Sequence, residues 1–306
     1  MPHPPLFHQQ RQLGRPQLEI AQLESPRISY YDEHAEMKKE PASANSAKLS
    51  KAAVEKYLPS IYHFCARMTL SEEDAVDAAY ETYERAFNGA APADAGEQEL
   101  WLLKIADHVI QKRLPPEPEV DFDLLDDTLR SEATRTNGVS SLSAPDREYL
   151  LWELKQGCMT AVINCLSPGE RAAFVMSSVL QKSDDDAAKA LGIKVSAFKV
   201  RLSRARKKIG DYLAPRCEHV DPRNPCHCPS RIGIALAKGF IAPPSGEVQL
   251  RSKPRPFDQE IKSRDAVKIF NTLPELEVPA ALTARLEQAL SSGAWNRSSA
   301  AAAPRK

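Results

Sequence analysis

The chain has 306 residues, and 41 Lys plus Arg balance 41 Asp plus Glu to a formal net charge of zero. A neutral average argues against a nucleic-acid partner, which usually meets a basic excess, although averages conceal charge segregated along a chain. The opening MPHPPLFHQQ lacks the basic start and apolar run of a secretory signal, and no stretch approaches the roughly 18 uncharged apolar residues of a membrane helix. Six unevenly spaced cysteines make no disulfide framework. A cytoplasmic protein is expected, its cysteines thiols or metal ligands. The length fits two domains of about 150 residues each, and 24 prolines, above the usual share of about 5%, predict long linkers.

Residues 1–49, rich in Pro, Gln and Ser, read as a disordered arm. A helical block follows over 50–114. Val54, Leu58, Ile61, Cys65 and Met68 recur at helical spacing. Ser71 is the expected cap of a second helix, with Glu72, Glu73 and Asp74 in its first turn and Val76, Ala79, Tyr80, Tyr83 and Phe87 on one face. After a loop, Trp101, Leu102, Ile105, Ala106, Val109 and Ile110 stripe a third helix, which Pro115 and Pro116 stop. Residues 115–145 read as a flexible acidic linker with seven acids, two bases and a net charge of −5.

A second helical block spans 146–213. Ser167, Pro168 and Glu170 have the spacing of a capping box. Ser183 is the expected cap of a short helix with three aspartates in its first turn, Gly192 turns the chain, and Ser196 is the expected cap of a last helix. These elements form a helix-turn-helix pattern. Between Lys194 and Arg216 stand eight bases and one acid, so the segment is +7. Phe198, Leu202 and Ala205 can face a core, leaving Lys199, Arg201, Arg204 and Lys208 toward solvent. A basic helix with an exposed N-terminal end suits the major groove, where arginines hold phosphates or read guanine. The whole reads as all-α: two small helical domains, a linker between them and a partly helical C-terminal extension.

Over 166–209 the sequence resembles region 4 of bacterial sigma-70 factors, the extracytoplasmic-function (ECF) group in particular. The marks are Leu166-Ser167-Pro168 with Glu170-Arg171, Ala187-Ala188 with Leu191-Gly192-Ile193, Ser196 with Lys199, and Arg201-Leu202-Ser203-Arg204-Ala205-Arg206. The first block resembles region 2 through Tyr57-Leu58-Pro59, Glu73–Asp77, Thr82, Ala86-Phe87 and Trp101–Ala106. The resemblance implies a non-enzymatic subunit that binds core RNA polymerase and directs promoter recognition and transcription initiation. Region 4 would read the −35 element with Ser196, Lys199, Arg201, Arg204, Arg206, Lys207 and Lys208. Region 2 would meet the −10 strand with Trp101, Lys104, Lys112 and Arg113, and the polymerase with Asp77 and Glu81. An anti-sigma factor is a further implied partner. Asp107 and His108 stand where that family usually has Arg or a small residue and Asn, which predicts weak strand opening. The acidic linker could enter a basic polymerase channel by mimicking phosphate.

Residues 214–242 form a Cys/His extension. Cys217, His219, Cys226 and Cys228, with His227, are thiolate and imidazole donors for zinc or copper. Cys65, Cys158 and Cys165 fall on apolar helix faces and are expected in the core. The tail, 243–306, carries Leu282, Leu286 and Leu290 four residues apart, a stripe able to dock on either block and restrain it. The competing reading is a stand-alone helix-turn-helix regulator, metal- or redox-responsive through the cysteines. A region 2 would be superfluous in such a protein.

Overall fold

The computed structural model describes residues 46–118, 120–131, 144–237, 241, 265–273 and 276–292. The bulk of the arm, the span 132–143, the Pro-rich spacer and the end of the tail lie outside them. Among the described residues the fold is all-α apart from an isolated bridge and two paired dipeptides: β1 (Ser46–Ala47) lies antiparallel to β2 (Ala91–Pro92). The arm thus ends in a strand, and Leu49 behind it is buried.

The first bundle holds α1 (Lys51–Met68), α2 (Glu72–Phe87) and α3 (Ala95–Gln111). Ser50 caps α1 by accepting the Ala53 N–H at 3.1 Å. Ser71 caps α2 through Asp74 N–H at 3.2 Å, as its spacing predicts. Asp94 caps α3 through the N–H groups of Gly96 and Glu97. Ile61, Phe64, Cys65, Met68, Tyr83, Leu102 and Ile110 form a fully buried core between the three helices.

The acidic linker is not uniformly extended. It contains α4 (Phe122–Ser131), whose Asp126 takes Arg216 at 2.8 Å and whose Phe122 ring lies 4.9 Å from Tyr212. The aromatic contact and ion pair hold this part of the linker on the second bundle.

That bundle comprises α5 (Ala144–Asn164), α6 (Pro168–Phe174) running into a π-helical turn at Val175–Val179, α7 (Asp184–Ala190) and α8 (Val195–Leu213). The serine at the start of α6 departs from the capping box: Ser167 Oγ donates to Glu170 Oε2 at 2.9 Å instead of accepting a backbone N–H. Lys208 reaches the same carboxylate at 2.7 Å, so Glu170 bonds side chains from α8 and the cap position. Beyond α8 follow α9 (Cys228–Ala237), a 3-10 turn at Lys268–Thr272 and α10 (Ala280–Ser292).

The bundles share one continuous apolar core. Two buried arginines seal the junction. Arg67 of α1 donates to Thr160 at 2.7 Å and Gln156 at 2.5 Å on α5, and to His63 at 3.2 Å. Arg171 of α6 donates to the carbonyls of Met68 at 2.7 Å, Asn164 at 2.8 Å and Leu166 at 3.2 Å. Most of these acceptors are neutral carbonyls or side chains. Burial lowers the Arg67 pKa to about 10 and that of His63 to about 3, the latter aided by the neighbouring guanidinium.

Candidate functional site

The helix-turn-helix is built around Gly192. Ile193 N–H bonds Ala188 C=O at 3.0 Å and Gly192 N–H bonds Lys189 C=O at 3.2 Å, a Schellman closure of α7. Gly192 has φ +65°, which glycine adopts without strain. Ser183 caps α7 through Asp186 N–H at 3.1 Å. The last helix differs from expectation: Lys194 occupies its N-cap, with no side-chain hydrogen bond, and Ser196 lies in the first turn. The Schellman closure returns the chain to helical geometry sooner than the serine position predicts.

Phe198, Leu202, Ala205 and Ile209 of α8 are buried. Ser196, Lys199, Arg204, Arg206, Lys207 and Lys208 are exposed and Arg201 half-buried. Ser196, Lys199, Val200, Ser203, Arg204 and Lys207 follow three- and four-residue spacing, one face of α8 turned to solvent. Val200, overlooked in the sequence, is 50% exposed in this face and offers an apolar contact of the kind that meets a thymine methyl. Its signal is a branched apolar residue outside the Phe198–Leu202 stripe. Lys199 lies 3.7 Å from Asp184, Lys207 2.6 Å from Asp211, and Arg206 donates to Ser177. These exposed ion pairs are weak enough for phosphates to exchange in.

The residues expected at the −10 strand do not form one open surface. Trp101 is half-buried, its ring 3.2 Å from where a Cβ on Gly89 would stand. Lys104 lies beside the helix-turn-helix, its Cε 3.7 Å from the corresponding position on Gly192. Lys112 and Arg113 are exposed at the end of α3, and Arg113 pairs with Glu81. Burial raises the Glu81 pKa, but hydrogen bonds from Arg113 and Arg85 outweigh it and the net shift is downward. Asp77 pairs with Arg285 of α10 at 2.7 Å. Asp107 is buried against Gln111 at 2.9 Å, and burial raises its pKa to about 6.

Ion pairs bind the second bundle to α3. Lys189 of α7 meets Glu97 at 2.6 Å, and Lys182 meets Glu99 at 2.8 Å while Ser60 donates to the same carboxylate at 2.6 Å.

After α8 the Cys/His loop folds back on itself. Cys217 and Cys226 form an isolated parallel bridge, with Glu218 N–H on Cys226 C=O and Cys226 N–H on Arg216 C=O. His219 Nε2 comes within 3.4 Å of Cys228 Sγ. Cys65 and Cys165 are buried as expected, and Cys158 packs partly buried against the same core; burial raises its pKa, and the thiols of Cys226 and Cys217 reinforce the shift.

Residues 156–209 match the family model described as sigma-70, region 4. The chain is similar to the ECF RNA polymerase sigma factor SigE of Mycolicibacterium smegmatis, 24% identical over 163 residues that cover 53% of this chain and 60% of that protein. It therefore spans about three fifths of that relative's length. Among solved structures, it is similar to the sigma factor RpoE in complex with the anti-sigma factor NepR from Bartonella quintana, at 19% identity, 53% of this chain, 95% of that chain and a TM-score of 0.34. Among the described residues no helix is long and apolar enough to cross a membrane.

Proposed function

We propose, for a chain of the sigma-70 family and its ECF group, that it binds core RNA polymerase and directs it to promoters. The observation that carries this reading is the coincidence of the region 4 match with a capped α7, the Gly192 turn and an α8 whose basic face is solvent-exposed. In this reading α8 enters the major groove at the −35 element, with Ser196, Lys199 and Val200 toward base edges and Arg204, Lys207 and Lys208 toward phosphates. Arg201 and Arg206 flank that surface. The first bundle meets the −10 strand along α3, through Trp101, Lys104, Lys112 and Arg113, and the polymerase through Asp77 and Glu81. The chain acts by binding, with no catalytic residue assigned.

The compact arrangement is then the resting state. The two promoter elements lie about 25 base pairs apart, roughly 85 Å of duplex at about 3.4 Å per pair. Lys104 and Gly192 nearly touch. Reading both elements requires the Lys189–Glu97 and Lys182–Glu99 contacts to part and the bundles to separate. The C-terminal segment opposes this, because Phe270 packs on Phe174 of the second bundle and α10 on α2 of the first. The tail is regulatory in this reading, and core polymerase, promoter DNA and an anti-sigma factor are the partners.

Reconstitution tests the proposal. The purified chain co-elutes with core polymerase and supports start-site-specific transcription; a chain that does neither refutes it. A chain ending at Leu273, which keeps Phe270 and lacks α10, gives more transcript than the full chain if the tail restrains the bundles.

A further inference from the structure

Two cysteines of the loop after α8 are held side by side by the backbone. Cys226 N–H bonds Arg216 C=O at 3.0 Å and Glu218 N–H bonds Cys226 C=O at 3.2 Å, the pattern of a parallel bridge between Cys217 and Cys226. Bridged backbones lie about 4.8 Å apart. That spacing falls inside the roughly 4.4–6.8 Å between α-carbons that a disulfide spans. Residues paired in this way also carry their side chains on the same face of the ribbon. Both thiols are free.

The loop between them is closed without the sulfurs. The N–H groups of Val220 and Asp221 bond Cys217 C=O at 3.0 and 3.1 Å. The Asn224 amide donates to Ala214 C=O at 2.7 Å and to Cys217 C=O at 2.9 Å. Cys217 and Val220 are buried in the main apolar core. Residues 217–226 thus keep the two cysteines in register in the reduced chain, and the loop does not depend on a sulfur bond for its shape.

Burial gives the two thiols different parts. Cys217 is 7% exposed, whereas Cys226 is half-buried between exposed Pro225 and His227. Burial pushes the Cys217 thiol up, partly offset by the N–H groups of His219 and Val220 that its sulfur accepts. A soluble oxidant therefore meets Cys226 first, and Cys217 stands behind it as the resolving thiol. Cys228, the next cysteine along, is engaged elsewhere: its sulfur lies 3.4 Å from His219 Nε2 and its N–H bonds Glu218.

We propose that Cys217 and Cys226 form a reversible disulfide when the chain meets hydrogen peroxide. The Cys226 thiolate attacks one peroxide oxygen, the O–O bond breaks, and the leaving hydroxide takes the thiol proton as water. The Cys217 sulfur then attacks the Cys226 sulfenic acid, the S–O bond breaks, and a second water carries off the Cys217 proton. Two thiols lose two electrons to one peroxide, and a dithiol reductant returns them by exchange. The bond clamps the chain beside Arg216, whose carbonyl accepts the Cys226 N–H and whose guanidinium holds Asp126 of α4. Oxidation thereby tightens the acidic linker on the second bundle.

The full-length chain, kept free of metal by a chelator, is treated with hydrogen peroxide, alkylated and digested with trypsin. Cleavage after Arg216, Arg223 and Arg231 places Cys217 in one peptide and Cys226 with Cys228 in the next. The expected disulfide joins the two peptides, and dithiothreitol separates them. The joined species persists in Cys228→Ser and Cys158→Ser and is lost in Cys226→Ser and Cys217→Ala, with circular dichroism confirming each fold. Amide exchange across α4 slows about threefold or more on oxidation of the parent chain and not in Cys226→Ser. No joined species, a disulfide confined to the Cys226–Cys228 peptide, or a joined species in folded Cys226→Ser overturns the proposal. Unaltered exchange in α4 overturns the coupling to the linker. Polymerase takes no part, so the outcome is independent of the promoter-binding proposal.

Discussion

Arg285 Nη1 lies 2.7 Å from Asp77 Oδ1, and its guanidinium sits 4.3 Å from the centre of the Tyr80 ring. The contact joins α10 near the C-terminus to the acidic face of α2. Both partners are a little over 40% exposed, so the ion pair contributes about 0–1 kcal/mol and the ring stacking about 0.5–1 kcal/mol. Leu282 and Leu286 of the same helix are buried in the shared apolar core. If Asp77 faces polymerase, the tail and polymerase compete for it. Arg285→Ala then raises the affinity for core polymerase about threefold, and a chain ending at Leu273 raises it further, read by binding to labelled core enzyme.

The exposed face of α8 makes a prediction about DNA that separates its residues. Lys207→Ala weakens binding about equally on all sequences and lowers the salt slope by about one. Val200→Ser and Lys199→Ala instead reduce discrimination between the preferred −35 element and scrambled duplex. Fluorescence anisotropy across a salt series distinguishes the two classes, and a uniform loss in all three variants would count against directional readout.

Gly192 and Gly210 carry opposite expectations. At φ +65° Gly192→Ala strains the backbone by about 1–2 kcal/mol, while its new methyl meets Lys104 only at an ordinary 3.7 Å. Gly210 lies inside α8 with open space around its Cα, so Gly210→Ala stabilises by about 0.5–1 kcal/mol. Thermal melts of the two variants should shift in opposite directions.

Two buried groups give opposing pH dependences. The unfolded chain protonates His63 near its ordinary 6.5, the native chain only near 3, so stability falls as pH drops between those values. Native Asp107 protonates near 6 and the unfolded chain near 3.8, so stability rises as pH drops across that window. Between about pH 6 and 4 the two slopes, each about 1.4 kcal/mol per pH unit, nearly cancel. Asp107→Asn exposes the histidine slope, making the protein acid-sensitive below pH 6. His63→Gln, which keeps an acceptor for Arg67, exposes the opposite slope. Denaturant titrations at pH 7, 6 and 5 measure both.

The helices of both bundles were legible because their signals are local. Apolar spacing marks α1 to α3, and Ser71 and Ser183 act as the caps their positions announce. The charge on α8 was equally plain. What the sequence concealed is mostly non-local. Ser196 looked like a cap because serine favours that role, but the carbonyl pairing at Gly192 decides where α8 starts. α4 was hidden by its acids, since Phe122 and Asp126 acquire partners only when Tyr212 of α8 and Arg216 just beyond it arrive. Cys158 reads as one more apolar position on α5, and only the return of the 217–228 loop reveals its neighbours. The placing of Lys104 beside Gly192 needs contacts between bundles that no periodicity encodes.

Phe270 is fully buried, with its ring edge-on to Phe174 at 4.9 Å between centres. The core of the second bundle is thus finished by a residue synthesised well after α8. At about 5–20 residues per second, the roughly 60 intervening residues take the ribosome about 3 to 12 seconds. During that interval the nascent helix-turn-helix has an apolar socket over Phe174 and no α10 across α2. The growing chain is therefore least restrained before α10 emerges, and closes once that helix packs on α2.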